Sequence, residues 1–302
     1  METIRSILLN DKDKKEILSI DLSKSHMSKN FTLTKEEILS TKSMIKPYIK
    51  VGYSLQLLFI KNLGRPIPID YKEIPIEILE FIGEQLNITN VNIEKYFTTE
   101  ITRKRNSQHL VEILGYSKFI ITDEITNIAK ILSMNISSKK QLVLEFLDRL
   151  KELKIIAPAL ATVEEFLYQI MQDTNSNIYK DIVFQIPDKI KLDTLLIPDD
   201  KGISPFSHIK NIEINSTAKG LKTLLKHIKF INDFNCPCNL DFLSPEKLRF
   251  FSDEINKSNR FRIQRFSDEN KRYSYLAMFL LFRKKTFVDM VIEINSNFTH
   301  KV

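Results

Sequence analysis

Apolar residues in this chain recur mainly three and four positions apart, the spacing that places side chains on one face of an α-helix. Only six glycines occur among the 302 residues, which disfavours folds built on glycine-rich turns and phosphate-binding loops. No repeat of fixed period and no low-complexity linker is visible. The sequence therefore predicts an all-α fold made of several small helical modules.

Local signals mark where several helices begin. Thr34, Ser138 and Thr162 each stand three residues before Glu or Gln, a pattern in which two side chains bond reciprocally to free N–H groups of the first turn. Ser244 is followed by proline, which is favoured at the first helical position. Ser267 is followed by two acids, where the helix dipole favours negative charge. These signals predict helices and carry no functional meaning alone.

The stretch VGYSLQLLFIKNLGRP, which begins at Val51, predicts a helix with a sharp end. Gly64 can adopt the left-handed conformation that closes a helix, and Pro66 prevents the helix from resuming. Shorter helices are predicted at 75–86, 91–96 and 101–114. Their lengths and the tight connection between the first two match a helix-turn-helix.

We divide the chain into four parts. They are an N-terminal extension at 1–30, a first DNA-binding module of helix-turn-helix type at 31–133, a second helical module at 134–235, and a C-terminal helical segment at 236–302 that leads toward a missing catalytic part.

The formal charge of +7 and the sequence pI near 9.1 favour an acidic partner such as nucleic acid. The N-terminus lacks the apolar region and cleavage site of a secretory signal. The most apolar segment, Tyr273 to Phe282, falls well short of the roughly 20 residues that span a bilayer and predicts a buried helix. We therefore expect a cytoplasmic protein that does not contact membranes.

Catalytic and cofactor motifs are missing from the sequence. It contains no GxSxG, GxGxxG, GxxxxGK[ST] or HExxH pattern, and its five histidines are scattered without metal-ligand spacing. Cys236 and Cys238 flank a proline, which predicts a reduced turn after a helix rather than a disulfide or a zinc site. We therefore expect no cofactor. A nuclease remains an alternative, because carboxylates distant in sequence could converge in the fold to hold two metal ions.

Three basic groups are the candidate functional residues. The first group lies in the segment TRKRNSQH, which contains no acidic residue, and continues just after it. It comprises Arg103, Lys104, Arg105, His109 and Lys118. The second alternates with apolar residues, as in a short extended segment with one basic edge, and comprises Arg260, Arg262 and Arg265. Guanidinium groups suit phosphate and the edge of guanine.

The third group lies on a predicted amphipathic helix that starts near Ser216. Its basic side carries Lys222, Lys226 and Lys229, opposite an apolar stripe of Leu221, Leu224, Leu225, Ile228 and Ile231. For all three groups the alternative is a solvated charged face without a partner.

Five segments, in order along the chain, resemble Tn3-family transposases in their N-terminal DUF4158 region. They are GYSLQLLFIKNLGRP, IPIEILEFIGEQLNI, YFTTEITRKRNSQHLVEILGYSKF, RLKELKIIAPALATVEEFL and ENKRYSYLAMFLLFRKKTFVDMVIEI. Arg103 or Arg105 stands where that family has an arginine before its histidine, and His109 and Glu112 fit the element that follows. Gly52 and Gln56 lie in the first of these segments. An alternative interpretation gives them a structural role, in which they define the path of the helix and do not contact DNA.

The resemblance implies a mainly helical region that binds the terminal inverted repeats of a transposon. It also implies that an RNase H-like domain with an acidic triad and divalent metal lies farther along and is absent from this chain, which would then not be an enzyme. Expected partners are double-stranded DNA at transposon ends and a second copy, as a homodimer through the full-length transposase. The alternatives are a helical protein-assembly module, an inhibitory truncated remnant, and a stand-alone nuclease.

Overall fold

The computed structural model describes residues 8–68, 70–89, 92–212 and 215–299. Residues 1–7 of the predicted N-terminal extension and 300–302 of the predicted C-terminal segment therefore lie outside the described residues. Helices make up most of the described chain, which confirms the all-α prediction. No helix in these ranges combines the length and the apolar character that crossing a membrane requires.

The chain forms two compact units, one of Met1–Leu132 with Ser138–Tyr168 and the other of Ser133–Ser137 with Gln169–Val302. In chain order the elements that begin in the first unit are α1 (Asp11–Leu18), α2 (Lys24–Phe31), α3 (Lys35–Ser40), α4 (Pro47–Leu63), a 3-10 turn (Tyr71–Glu73), α5 (Ile76–Gln85), α6 (Glu94–Thr98), α7 (Glu100–Leu114), β1 (Ser117–Lys118), α8 (Asp123–Asn135), α9 (Lys139–Glu152), β2 (Ile155–Ile156) and α10 (Leu160–Phe184). Those that follow are α11 (Lys189–Asp193), a 3-10 turn (Thr194–Leu196), α12 (Pro205–Lys210), α13 (Ala218–Asp233), α14 (Pro245–Lys257), α15 (Arg260–Gln264) and α16 (Glu269–Thr299).

Helix α4 is the centre of the first unit. Every residue from Val51 to Ile60 is buried, because α2, α5, α6 and α7 surround the helix. It ends as predicted at Gly64, which has φ +64° and donates its N–H to Ile60 O at 3.1 Å. The two short strands pair in parallel, with Ser117 beside Ile155.

Helix α16 is the centre of the second unit. Every residue from Tyr273 to Leu280 is buried, where α11, α13, α14 and α15 pack against the helix. This confirms the prediction of a buried helix in the most apolar segment. Each unit is thus built around one helix that is buried on all sides along part of its length.

Three local predictions are wrong. The residues around Arg260 form the short helix α15 rather than an extended segment, because Asn259 caps it by accepting the N–H of Arg262 at 2.9 Å. Helix α10 begins at Leu160, so Thr162 lies inside its first turn and is not a cap. Leu225 is 53% exposed, because the buried stripe of α13 is narrower than predicted.

The predicted helix-turn-helix corresponds to α5, α6 and α7. All three exist, although α6 has only five residues and Thr99 alone separates it from α7. The helix-turn-helix geometry stays a prediction. The division at 31–133, 134–235 and 236–302 also stays a prediction, because compactness does not show which pieces fold independently.

Candidate nucleic-acid interface

Helix α7, which carries most of the first basic group, is held by α4 and α6. A Cβ added to Gly52 in α4 would lie 2.3 Å from Cγ of Tyr96 in α6. Glycine therefore leaves the space in which the tyrosine ring lies directly on the backbone of α4. This contact seats α6, and with it the start of α7, against the central helix.

A chain of buried hydrogen bonds links the same three helices. Tyr96 Oη donates to Gln56 Oε1 at 3.0 Å, and Asn106 Nδ2 donates to Tyr96 Oη at 3.1 Å. Gln56 Nε2 donates in turn to the carbonyl of Arg103 at 3.2 Å. Burial raises the pKa of Tyr96 to about 12, so its phenol keeps the proton that it donates. These bonds fix which side of α7 faces the core.

The side of α7 that faces away from the core carries cations. Arg105 and His109 are exposed and four residues apart, so they lie on one face. Lys104 is also exposed, but it pairs with Glu100 at 2.7 Å, which offsets part of its charge. Arg103 is half-buried, with its guanidinium carbon 5.4 Å from the centre of the Phe97 ring.

His109 is anchored on one side. The Oη of buried Tyr53 lies 3.4 Å from His109 Nδ1, and burial raises the pKa of Tyr53. The contact positions the ring while the residue stays exposed. Of the exposed cations, Arg105 has no carboxylate within ion-pair distance anywhere in the described ranges, so its charge is the one most open to a phosphate or a base edge.

Lys118 belongs to a different part of the first unit. Gly115 ends α7 with φ +69°, and Lys118 follows on the exposed strand β1. The structure thus places four of the five residues of the first group on α7 and the fifth beyond its end. Lys118 therefore does not share a helix face with the cations of α7.

The lysine group lies on α13 in the second unit. Lys222, Lys226 and Lys229 are all exposed, and their spacing of four and three residues puts them on one face. Lys226 also lines a cleft of 810 Å³ together with His208 and His227. Burial lowers the pKa of His227, and the neighbouring His208 lowers it further.

The arginines of α15 differ in their surroundings. Arg262 pairs with Glu254 at 3.3 Å, and the guanidinium carbon of Arg260 lies 4.4 Å from the centre of the Phe261 ring. Arg265 follows the helix and is exposed. The three therefore do not form one basic edge, and only Arg265 among them presents an exposed guanidinium without either kind of contact in the part of the chain described.

Sequence reasoning missed the polar chain behind α7 and the role of Arg65. Arg65 donates to the carbonyls of Ile17 at 3.3 Å and Leu18 at 3.1 Å, at the end of α1, where a helix favours cations. Burial lowers the pKa of Arg65. A glutamine inside an otherwise apolar helix, at Gln56, was the signal for the polar chain. No comparable signal pointed to the use of Arg65 inside the fold.

Within the described ranges, no group of three or more His, Cys, Asp or Glu side chains lies close enough together to hold a metal ion. Cys236 and Cys238 are free thiols in the loop after α13, with their Sγ atoms 3.5 Å apart. The exposed cations on α7, and separately those on α13, are suited to binding an anion through side-chain charge.

The sequence of this chain is similar to one protein family and to transposases. The family model described as "Domain of unknown function (DUF4158)" matches residues 8–170. The transposase for transposon Tn501 of Pseudomonas aeruginosa is 18% identical over 99% of this chain and 31% of its own length. The transposase for transposon Tn1546 of Enterococcus faecium is 19% identical over 95% of this chain and 30% of its own length. The chain thus spans about a third of the length of these curated relatives.

Proposed function

We propose that this chain, which belongs to the DUF4158 family and is a Tn3-family transposase N-terminal region, binds double-stranded DNA and recognises the terminal inverted repeats of its transposon. The observation that carries the proposal is the exposed face of α7. Arg105 and His109 project from a helix whose opposite side is fixed by Gly52, Gln56 and Tyr96. A rigid helix with outward cations suits a groove of duplex DNA.

The lysine row of α13 supports a second contact of a different kind. From Lys222 to Lys229 the helix rises about 10 Å, at about 1.5 Å per residue, close to the axial rise of three phosphate-to-phosphate steps on one strand at about 3.4 Å each. Lysine is a mobile point charge and does not read base edges in two places as arginine does. We assign this row to phosphate contacts, which add affinity without sequence preference.

We further propose that cutting and joining DNA belongs to another part of the transposase, an RNase H-like domain with an acidic triad and divalent metal. Binding by the described cations needs no cofactor, because lysine and arginine neutralise phosphate directly. A chelator should therefore leave the affinity of this chain for duplex DNA unchanged. The homodimer expected through the full-length protein is part of the same proposal.

Fluorescence anisotropy with a labelled duplex tests the function. The probe is the terminal repeat read from the DNA that flanks the gene, and the control is a shuffled duplex of equal length and composition. We expect tighter binding to the repeat and, if about six phosphates are neutralised, a slope of log affinity against log salt of roughly −5. The repeat incubated with magnesium and this chain alone should stay intact.

Two outcomes would contradict the proposal. Equal affinity for the repeat and the shuffled duplex would remove recognition, and an affinity that does not change with salt would remove the phosphate contacts. Cleavage of the repeat by the purified chain would instead support a stand-alone nuclease. Self-association without DNA binding would favour the assembly module.

A further inference from the structure

Two cysteines in the loop after α13 form a pair of thiols that the proposed interface does not use. The Sγ atoms of Cys236 and Cys238 lie 3.5 Å apart. Both residues are free thiols and half-buried, so neither is enclosed in the core of the second unit. The sequence predicts a reduced turn at this point, and the structure adds that the turn brings the two sulfur atoms into contact.

The loop is held in this conformation from both ends. Asn235 has φ +48°, a left-handed conformation that turns the chain where α13 ends, and Pro237 between the cysteines has a φ fixed by its ring. On the far side, Gln185 of α10 accepts the N–H of Asn239 at 2.7 Å and donates to the carbonyl of Asn239 at 3.3 Å. The thiols are therefore held together by the fold and not only by their closeness in sequence.

The hydrogen bonds of the pair distinguish its two members. The thiol of Cys238 donates to the carbonyl of Ile182 at 3.7 Å, so the proton between the two sulfur atoms comes from Cys236. This bond lowers the pKa of Cys238, whereas the same bond, together with burial, raises the pKa of Cys236. Because the thiolate is the nucleophile in exchange with disulfides, Cys238 is the member that reacts first.

Cys238 also lines a cleft of 700 Å³ between the loop, α14 and α16. This volume is within the range of about 300 to 1,000 Å³ typical of small-molecule sites, so a small disulfide can approach the loop from this side. The wall carries the cations Arg249 and Lys285 and the carboxylates Asp241 and Asp289. Charges of both signs are thus present, and the cleft does not depend on the charge of the molecule that enters it.

We propose that Cys236 and Cys238 form a thiol–disulfide exchange site for low-molecular-weight disulfides such as oxidised glutathione. In the first step the Cys238 thiolate attacks one sulfur of the small disulfide, whose S–S bond breaks and releases one thiolate that takes up the Cys238 proton. In the second step the Cys236 sulfur attacks Cys238 Sγ, and the second small thiol leaves with the Cys236 proton. The two cysteines lose two electrons and become a disulfide, and the small disulfide becomes two thiols.

The product is suited to a reversible reaction. A disulfide that spans one residue closes a small ring, and strained or exposed disulfides are the ones most readily reduced. Excess small thiol therefore reverses both steps, and the state of the pair follows the ratio of small disulfide to small thiol. The site belongs to the second unit and does not rest on DNA binding.

Equilibration of the full chain in glutathione redox buffers at neutral pH, followed by an acid quench and measurement of the intact mass, tests the exchange. The disulfide form weighs two hydrogen atoms less than the dithiol, and a mixed disulfide carries one added glutathione. We expect the equilibrium constant for the disulfide to be roughly tenfold higher in the native chain than in the chain unfolded in urea, because the fold holds the thiols together. Cys236→Ser should stop at the mixed disulfide.

Two further measurements separate a site built by the fold from two neighbouring cysteines. Gln185→Ala should lower the native equilibrium constant by roughly threefold, because the loop loses its anchor at Asn239. Gln172→Ala, at an exposed glutamine of the same helix, is the control and should leave the constant unchanged. Limiting iodoacetamide should alkylate Cys238 of the native chain roughly tenfold faster than Cys236, as peptide mapping would show.

The proposal is overturned if the native chain forms no intramolecular disulfide in these buffers, or if the native and unfolded chains have equal constants. A native constant in Gln185→Ala would likewise contradict the role given to the fold. Equal alkylation of the two cysteines, or faster alkylation of Cys236, would contradict the order of attack. None of these experiments measures DNA binding, so their failure and the failure of the proposed function are distinguishable.

Discussion

Gly52 and Tyr96 form the contact on which the position of α7 depends. The ring lies where any larger side chain at residue 52 would have to be, and its hydroxyl then reaches Gln56 and Asn106. The side chain of Tyr96 is thus held both by close packing on Gly52 and by the hydrogen bonds of its hydroxyl group. Gly52 and Gln56, for which the sequence left a structural role open, thus form part of the support behind α7.

Gly52→Ala should destabilise the first unit by about 3 kcal/mol, because the new methyl group overlaps the Tyr96 ring in a packed core. The free energy of unfolding in urea measures the loss. Ser54→Ala is the matched control on the same helix. Its Oγ has no partner in the described part of the chain, so removing it should leave stability unchanged or slightly higher. Equal stability of Gly52→Ala and the native chain would contradict the packing described.

Lys247 is a buried cation in the second unit. It is 2% exposed, its Nζ donates to the carbonyl of Ser133 at 3.0 Å, and the ring centres of Phe250 and Phe251 lie 5.7 Å and 5.9 Å away. Burial lowers the pKa of Lys247 from 10.5 to about 8. This hydrogen bond links the end of α8 to α14. The Lys247 amine thus joins two helices from a site next to two aromatic rings, where a polar group needs such a partner.

The lowered pKa predicts a pH dependence of stability. Between about pH 8 and 10.5 the unfolded chain holds the lysine proton and the folded chain does not, so folding should become more favourable as pH rises through this window. Lys247→Met removes that contribution, and the difference in unfolding free energy between native and variant should shift toward the native chain as pH rises. Denaturant titrations at pH 7.5 and 10 measure it, and a difference that does not change with pH would show that Lys247 is not desolvated.

Capping residues determine whether the shortest helices form. Helix α15 has only five residues and exists where the alternation of arginine and apolar residues had suggested an extended segment. Its cap from Asn259 and the fully buried side chain of Ile263 together outweigh that alternation. Arg260 and Arg262 therefore project in directions set by a helix, and Arg265 follows its end.

Asn259→Ala should cost about 1 kcal/mol of stability in the second unit, because the N–H of Arg262 loses its acceptor. Asn259→Asp keeps a side-chain oxygen at the cap and should keep the native stability. Thermal unfolding of the three proteins compares them. If Asp and Ala are equally destabilising, the cap is not what holds α15.

The sequence predicts where helices form better than it predicts which of their side chains are exposed or engaged by other helices. The capping box at Thr34 forms as predicted, with Glu37 N bonded to Thr34 Oγ1 at 3.2 Å and Thr34 N bonded to Glu37 Oε2 at 2.8 Å, because all its atoms lie within four residues. The same signal is wrong at Thr162, where α10 begins earlier. Likewise, helical spacing predicted α7, but the exposure of Arg105 and the engagement of Arg103 depend on α4 and α6, which no local pattern describes.

At the scale of the whole molecule, two units each enclose one central helix, and each unit carries exposed cations on another helix. The formal charge of +7 supplies a general attraction for DNA, whereas α7 supplies a fixed pattern of side chains. Under the proposed function, recognition belongs to the first unit and added affinity to the second. The relatives that this chain matches are about three times as long as the chain, and the proposed function places strand cleavage in a part of the transposase outside it.

The assignment predicts different losses for the two groups. Lys226→Ala should weaken binding to the repeat and to the shuffled duplex about equally and reduce the salt slope by about 1. Lys180→Ala, an exposed lysine of the same unit outside the row, is its control. Anisotropy across a salt series measures both, and a loss confined to the repeat would place Lys226 at a base edge instead.

Recognition by α7 is tested by the affinity of Arg105→Glu for the terminal repeat and for the shuffled duplex. Lys42→Glu, which makes the same charge reversal at an exposed lysine of the same unit, is the control. We predict that Arg105→Glu loses most of the preference for the repeat while its melting temperature stays native, and that Lys42→Glu keeps the preference. If Arg105→Glu distinguishes the two duplexes as well as the native chain does, α7 is not the recognition element.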